Sequence, residues 1–366
     1  MSCGFINTFI KQILVLFVMV TTNAAFPNSL DSKRLFPVTG FTLDVYGTDK
    51  IDVKRIKSKY HKRWQTIIQL ALARKDYESI AKPIVAEIKS AVTLNFISIN
   101  VVRYPGDKLV HLTIDVVEKS DIKRKYHFNE VPRQSIQDPE YLIEKWQAYE
   151  KEAYDLIFKK GIFPGTQHCP AWHCVFGFEH PRLKKYQAWF GSPVVDRNIT
   201  TLTKILNNDK DANKRKMAAL LLAHATNVQE IVEALIPATH DPDAAVRNNA
   251  MRVLGVIFIN MANRKNDIVK FLITKKDLVK LAEGLNFPQT SDRNKALMMI
   301  ASLVDRPDFA DYIREHYSNN LLTELKMQQP DLHDFAYIIL KKISGKHYAE
   351  NNYPAWGACC HRHRRR

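Results

Sequence analysis

The sequence predicts a mainly α-helical protein, in which a C-terminal stack of helix pairs follows a small α+β domain of order β-α-α-β-β. Three observations predict it. In the C-terminal half an arginine, an alanine and a leucine or isoleucine recur as Arg215, Ala218 and Leu222, as Arg247, Ala250 and Leu254, and as Arg293, Ala296 and Ile300. The intervals are about 30 to 50 residues, the period of helix-pair repeats. Upstream, apolar residues are spaced as on helix faces over 51–73 and 76–94, and apolar and polar residues then alternate across a Pro-Gly-Asp turn, as in a β-hairpin.

The N-terminus bears on compartment. Lys11 precedes an apolar run from Ile13 to Val20, and small and polar residues follow up to Phe26-Pro27. This is the layout of a secretory signal, with cleavage expected after Ala24 or Ala25. The run is too short to span a bilayer, which needs about 20 residues. A retained amphipathic helix is the alternative, but no polar face exists between Ile13 and Val20. Residues 1–25 are thus expected to be a signal peptide and 26–40 a linker. The mature chain is expected to be exported, periplasmic or secreted, without a transmembrane segment.

Lys plus Arg number 54 against 38 Asp plus Glu, a net charge of +16. There is no RNP-type aromatic pair, GxxG loop or zinc finger, so no nucleic-acid partner is expected. For an exported chain the basic excess suits an anionic envelope surface, or is merely a solvated basic face.

Residues 41–119 form the expected α+β domain. "FTLDVYG" (41–47) reads as a strand ending at Gly47. One helix is expected over Ile51–Ala73, with Ile56, Tyr60, Trp64, Ile67, Ile68 and Ala71 on its face, and a second over 76–94, interrupted by Pro83. "ISINVVRY-PGD-KLVHLTIDVVEK" is the hairpin, with Val110, Leu112, Ile114 and Val116 on one side. "VYGTDKIDVKRI" followed by a hairpin ending in Glu118 resembles the POTRA modules of outer-membrane assembly proteins. That resemblance implies docking on such an assembly; a generic α+β domain is the other reading. Residues 120–164 are expected to be a polar linker and a connector helix starting at Asp138-Pro139, a favourable N-cap and N1 pair, and ending at Gly161.

Residues 199–345 hold the repeats. "DPDAAVRNNAMRVLG" supplies Asp241, Pro242, Val246, Arg247, Ala250 and Leu254; "PDLHDFAYIILKK" aligns Ala336 and Leu340, with His333 in the arginine's place. An alanine at the crossing lets the two helices of a pair approach closely, and the apolar residues bury against the next pair. Arg247 is expected to cap a neighbouring turn or reach its acidic side chains. The segment resembles HEAT repeats of the short bacterial kind, an armadillo-type α-solenoid. "SGKHYAENNYPAW" resembles the closing segment of such proteins, where an aromatic packs the last repeat; residues 346–366 are expected to be that segment and a basic tail. The resemblance implies an exported, non-enzymatic scaffold that binds another protein and carries no cofactor.

"HCPAWHC" (168–174) lies in the expected cap, 165–198. His168, Cys169, His173 and Cys174, with His180 nearby, could ligate zinc. Against that, the second ligand pair is not at finger distance, and thiolates in an oxidising compartment tend to pair with each other. The Cys169–Cys174 spacing also departs from a C-x-x-C redox pair. A disulfide closing the loop around Trp172 is the simplest account; metal binding, redox activity and free thiols stay open. Similar "CP-x-x-HC-x-x-GF-x-HP" segments preceding repeats in HEAT-like exported proteins imply a shared cap. In the tail, Cys359, Cys360, His361 and His363 could bind copper or nickel adventitiously, or a cysteine could join two chains. No G-x-S-x-G, H-E-x-x-H, P-loop or G-x-G-x-x-G occurs, and no nucleophile has an orienting base, so no catalytic residue is assigned. The competing function is a metal- or thiol-dependent envelope protein centred on Cys169, His173 and Cys174.

Overall fold

The computed structural model describes residues 39–73, 75–104, 107–121, 126–162, 164, 169–263 and 273–361. The expected signal peptide with Ala24 and Ala25, the linker up to residue 38, His168 and the tail beyond 361 lie outside the described residues. The chain forms two compact units. The first runs to Lys125 and takes in Pro288–Ser291 and Met327–Gln329; the second comprises Tyr126–Phe287, Asp292–Lys326 and the chain from Pro330 onward.

The first unit has strands β1 (Gly40–Tyr46), β2 (Leu94–Val102) and β3 (Leu109–Glu118), with helices α1 (Val53–Lys59), α2 (His61–Leu72) and α3 (Glu78–Ala91) between β1 and β2. Two helices replace the single one expected over 51–73. The break is at Tyr60, whose backbone leaves helical geometry (φ −106°, ψ 22°) while its hydroxyl donates to Glu87 on α3 at 2.6 Å. Arg55 and Lys59 converge on the same carboxylate. Nor does Pro83 interrupt α3. A proline removes one rung of the helical ladder, and here buried Ala81 and Ile84 hold the two sides of Pro83.

The sheet order is β1-β3-β2, with β1 parallel and β2 antiparallel to β3. Val110, Leu112, Ile114 and Val116 of central β3 pack with Leu43, Trp64, Ile67, Ile84 and Ile88. The alternate row, which reads as a solvent face, is buried as well: His111, Thr113 and Asp115 are at most 3% exposed. Buried polar groups persist where they are hydrogen-bonded. Here His111 meets Thr42 at 3.0 Å and Asp107 at 2.9 Å. Asp115 accepts from Asn100 (2.6 Å) and from the Thr290 N–H (2.6 Å), both within this unit.

The second unit contains α4 (Leu142–Lys160), α5 (Pro181–Phe190) and four helix pairs: α6 (Ser192–Asn208) with α7 (Ala212–Leu221), α8 (Val228–Ala238) with α9 (Ala244–Asn263), α10 (Lys275–Glu283) with α11 (Thr290–Leu303), and α12 (Pro307–Glu324) with α13 (Pro330–Ser344). Helix α14 (Tyr353–His361) follows. Ala218, Ala250, Ala296 and Ala336 are fully buried. A Cβ on Gly284 would lie 2.8 Å from that of Ala296, which shows how closely the third pair approaches. Trp356 is wholly buried against Tyr337 and Tyr348 and packs the last pair. Asp138 accepts from the Ile143 and Glu144 N–H groups at 2.9 and 3.0 Å.

Residues 126–137, read from sequence as linker, run along the ends of the first two pairs. Asn129 donates to the carbonyls of His240 (2.7 Å) and Pro237 (2.9 Å). Gln134 donates to Asn208 (3.2 Å) and accepts from the Lys210 N–H (2.6 Å).

Candidate functional site: the arginine ladder and the Cys/His cap

Each recurrent arginine stands near the start of the second helix of its pair and is almost wholly buried. Each reaches forward to an acid further along the stack. Arg215 forms a two-pronged pair with Asp241 (both 2.8 Å), Arg247 pairs with Asp292 (2.9 and 2.8 Å), and Arg293 with Glu324 (2.6 Å). Each also reaches back to the turn before its own helix. Arg215 donates to Asp209 (2.8 Å), Arg247 to Asp241 (2.8 Å) and Arg293 to Phe287 (3.3 Å), all at the backbone carbonyl. A planar guanidinium with five donors can serve both directions at once. Asp241 therefore links two rungs, accepting Arg215 on its carboxylate and Arg247 on its carbonyl. Phe128 lies over the Arg247 guanidinium at 4.0 Å. His333, in the fourth arginine's place, keeps the backward bond, from Nδ1 to the Leu325 carbonyl at 2.7 Å, and its Nε2 meets Glu350 at 3.3 Å.

The cap is built around an aromatic cluster. Trp146 and Tyr149 of α4 pack with Phe176, Phe178, Tyr186, Phe190 and His224. Tyr149 donates to the Phe176 carbonyl, and burial pushes its hydroxyl pKa up. Cys169 and Cys174 are joined by a disulfide, Cα to Cα 5.6 Å, and the enclosed Trp172 N–H donates to the Ala223 carbonyl at 2.9 Å. The candidate ligands do not assemble. Cys169 and Cys174 are spent on each other, and His180 caps α5, its Nδ1 accepting from the Arg182 N–H at 3.2 Å. Among the described residues no three His, Cys, Asp or Glu side chains are placed to hold a metal ion.

His173 has a different setting. Its Nε2 is buried without a hydrogen-bond partner. Burial, and then Arg252, His224 and Lys295, push its pKa down to about 3. Burial also pushes His224 down to about 4. Lys295, 2% exposed, is pushed down to about 7 by burial and by Arg252, against Asp331 and Asp292. Sequence reasoning missed Arg252 and Lys295. The signal available was their place just after the repeat arginines, on helix faces where a charge ordinarily implies solvent.

Residues 199–301 match the family model for HEAT repeats. No curated protein matches the chain. No helix among the described residues is long and apolar enough to cross a membrane. HEAT repeats generally serve as protein-interaction scaffolds. Helix pairs stacked through a ladder of buried arginines, over residues that match that family model, identify residues 199–301 as HEAT repeats.

Proposed function

We propose that the chain is an exported, non-enzymatic scaffold that binds another protein through the surface of its repeats. The observation that carries this is the ladder. Arginines that join one pair to the next and brace the turn of their own pair build a stack whose outer side chains are left for recognition, as solenoids present extended binding surfaces. Export is supported by the N-terminal pattern and by a Cys169–Cys174 disulfide, which suits an oxidising compartment,. The same disulfide counts against a metal- or thiol-dependent role, because it consumes both sulfurs.

The test uses the full chain in its native cells, with photo-crosslinking residues placed at exposed Glu233 on α8, at exposed Glu315 on α12 and, as comparison, at exposed Lys54 on α1. A partner captured from Glu233 or Glu315, in the exported fraction, supports the reading. Capture from Lys54 alone, or a chain that keeps residues 1–25 and stays in the cytosol, overturns it.

A further inference from the structure

The first unit carries a helix face of one charge. Helices α1 and α2 hold six lysines and arginines, all between Lys54 and Arg63, and no acid. On α3 the acids are Glu78 and Glu87. The three helices share a core with the sheet: Ile56, Trp64, Ile67, Ile84 and Ile88 turn inward to meet Leu112 and Ile114 of β3. Residues opposite the buried stripe of an amphipathic helix face away from its core. There Lys54, Lys62, Arg63, Lys82 and Lys89 stand exposed.

The remaining cations of α1 are engaged. Lys57 donates to the Phe41 carbonyl at 2.9 Å, while Arg55 (2.7 Å) and Lys59 both meet Glu87. Those two pairs tie α1 to α3, so the cations of the three helices form one continuous face. A single carboxylate answers two of them. Lys54, Lys62, Arg63, Lys82 and Lys89 form no ion pair among the described residues. Five unpaired cations on one face create a positive field that draws an extended anion.

The side chains between the cations decide which anion. Trp64 is buried, and half-buried Tyr60 and Tyr77 give their hydroxyls to Glu87 (2.6 Å) and to the Ile99 carbonyl (2.9 Å). No ring is thus offered on which the bases of a nucleic acid could stack. Four of the five unpaired cations are lysines, hydrated point charges on flexible stems, where arginine forks would suit phosphates in fixed positions. Their spread over three helices matches a plane of headgroups rather than a single strand. We propose that the outer face of α1, α2 and α3 binds an anionic phospholipid surface. No large apolar side chain is exposed on these helices, so the contact is electrostatic and made at the headgroups. This inference goes beyond the scaffold reading and does not depend on it.

The test is co-sedimentation of the full chain with vesicles of phosphatidylcholine alone or mixed with phosphatidylglycerol, at rising sodium chloride. The readout is the difference between the two vesicles, in which any apolar contribution from residues 13–20 cancels. The mixed vesicles should bind more tightly, and the difference should fall steeply with salt. Lys54→Gln, Lys62→Gln and Arg63→Gln together should weaken binding about a hundredfold, at about fivefold per charge. The helical circular dichroism and the urea midpoint should be kept, because none of the three is paired. Removing the same charge at exposed Lys151, Lys184 and Lys276 of the second unit should change binding by less than about fivefold. Should the first triple variant fail to fold, Lys82→Gln with Lys89→Gln carries the same comparison, at about twentyfold. No difference between the two vesicles, an undiminished difference in the folded variant, or an equal loss in both triple variants overturns the proposal. So does tighter binding of a single-stranded oligonucleotide than of the mixed vesicles, lost in the same variant, which would assign the face to nucleic acid. Crosslink capture at Glu233 and Glu315 can fail while vesicle binding holds, so the two readings fall separately.

Discussion

Arg247 and Arg252 lie on the same helix, the first almost wholly buried and the second half-buried, and they live in opposite electrostatic circumstances. Arg247 is held by Asp292, by the Asp241 carbonyl and by the Phe128 ring. Arg252 has an asparagine oxygen and a buried Nε with no partner. The comparison separates two uses of a buried charge. A charge paired in register joins repeats and is costly to remove. A half-buried one with no ion pair among the described residues should cost little to remove,.

The largest effect expected is at the ladder. Arg247→Met leaves Asp292 buried without its partner and should destabilise the second unit by about 3–5 kcal/mol in urea unfolding. A loss below about 1 kcal/mol would break the comparison, since the ladder would then be no more structural than Arg252. The next effect concerns the loop that carries His173. Replacing Cys169 and Cys174 together by serine releases a short closed loop and should cost about 2 kcal/mol. With the loop freed, His173 should titrate nearer its ordinary value of 6.5 than the folded value of about 3, read by NMR. An imidazole still depressed would mean that the helices alone hold it.

Arg252→Met should leave stability unchanged or raise it by about 1 kcal/mol, because a half-buried cation, its Nε screened and without a partner, is exchanged for an apolar side chain of similar length,. A loss as large as that of Arg247→Met would show Arg252 to be a ladder residue after all. A pH-dependent effect is expected at Asp334, beside the rung where His333 stands for arginine. Burial pushes its pKa from 3.8 up to about 6. The native state therefore binds the proton more tightly than the unfolded chain. Its contribution is fully present below pH 3.8 and is lost as pH rises through 6. Asp334→Asn should match the wild type below pH 3.8 and exceed it in stability above pH 6. Equal stability at pH 7 would remove Asp334 from the set of strained charges.

The rungs were legible from sequence only on their arginine side. Arg215, Arg247 and Arg293 repeat at one position, as does the alanine that follows each. Their acids do not: Asp241 closes a turn, Asp292 directly precedes Arg293, and Glu324 ends α12. Unequal connections between pairs bring each arginine to a different local position in the next unit, so the acids share no motif. The polar row of β3 and the cations at 252 and 295 were illegible for a related reason. A charged or polar residue on a helix or strand face carries no mark of what covers it. The chain break at Tyr60 and the unbroken path through Pro83 were set by packing, which hydrophobic spacing does not encode. The disulfide was the reverse case: two cysteines this near in sequence, in a chain expected to be exported, needed no tertiary information.

The bound course of residues 126–137 has a mechanical consequence. A stack of helix pairs joined only by neighbour contacts is compliant, since each joint can tilt a little and the tilts add. Here one extended stretch is fastened at the turn after α6, through Gln134, and again at the turn after α8, through Asn129. An extended chain is short of slack, so the distance between those two turns is fixed as by a stay on a mast. Pulling the stack open at that level means shearing backbone hydrogen bonds together, whereas the turns within the third and fourth pairs are tied to side chains, Thr290 to Asp115 and Gln328 to Asp44.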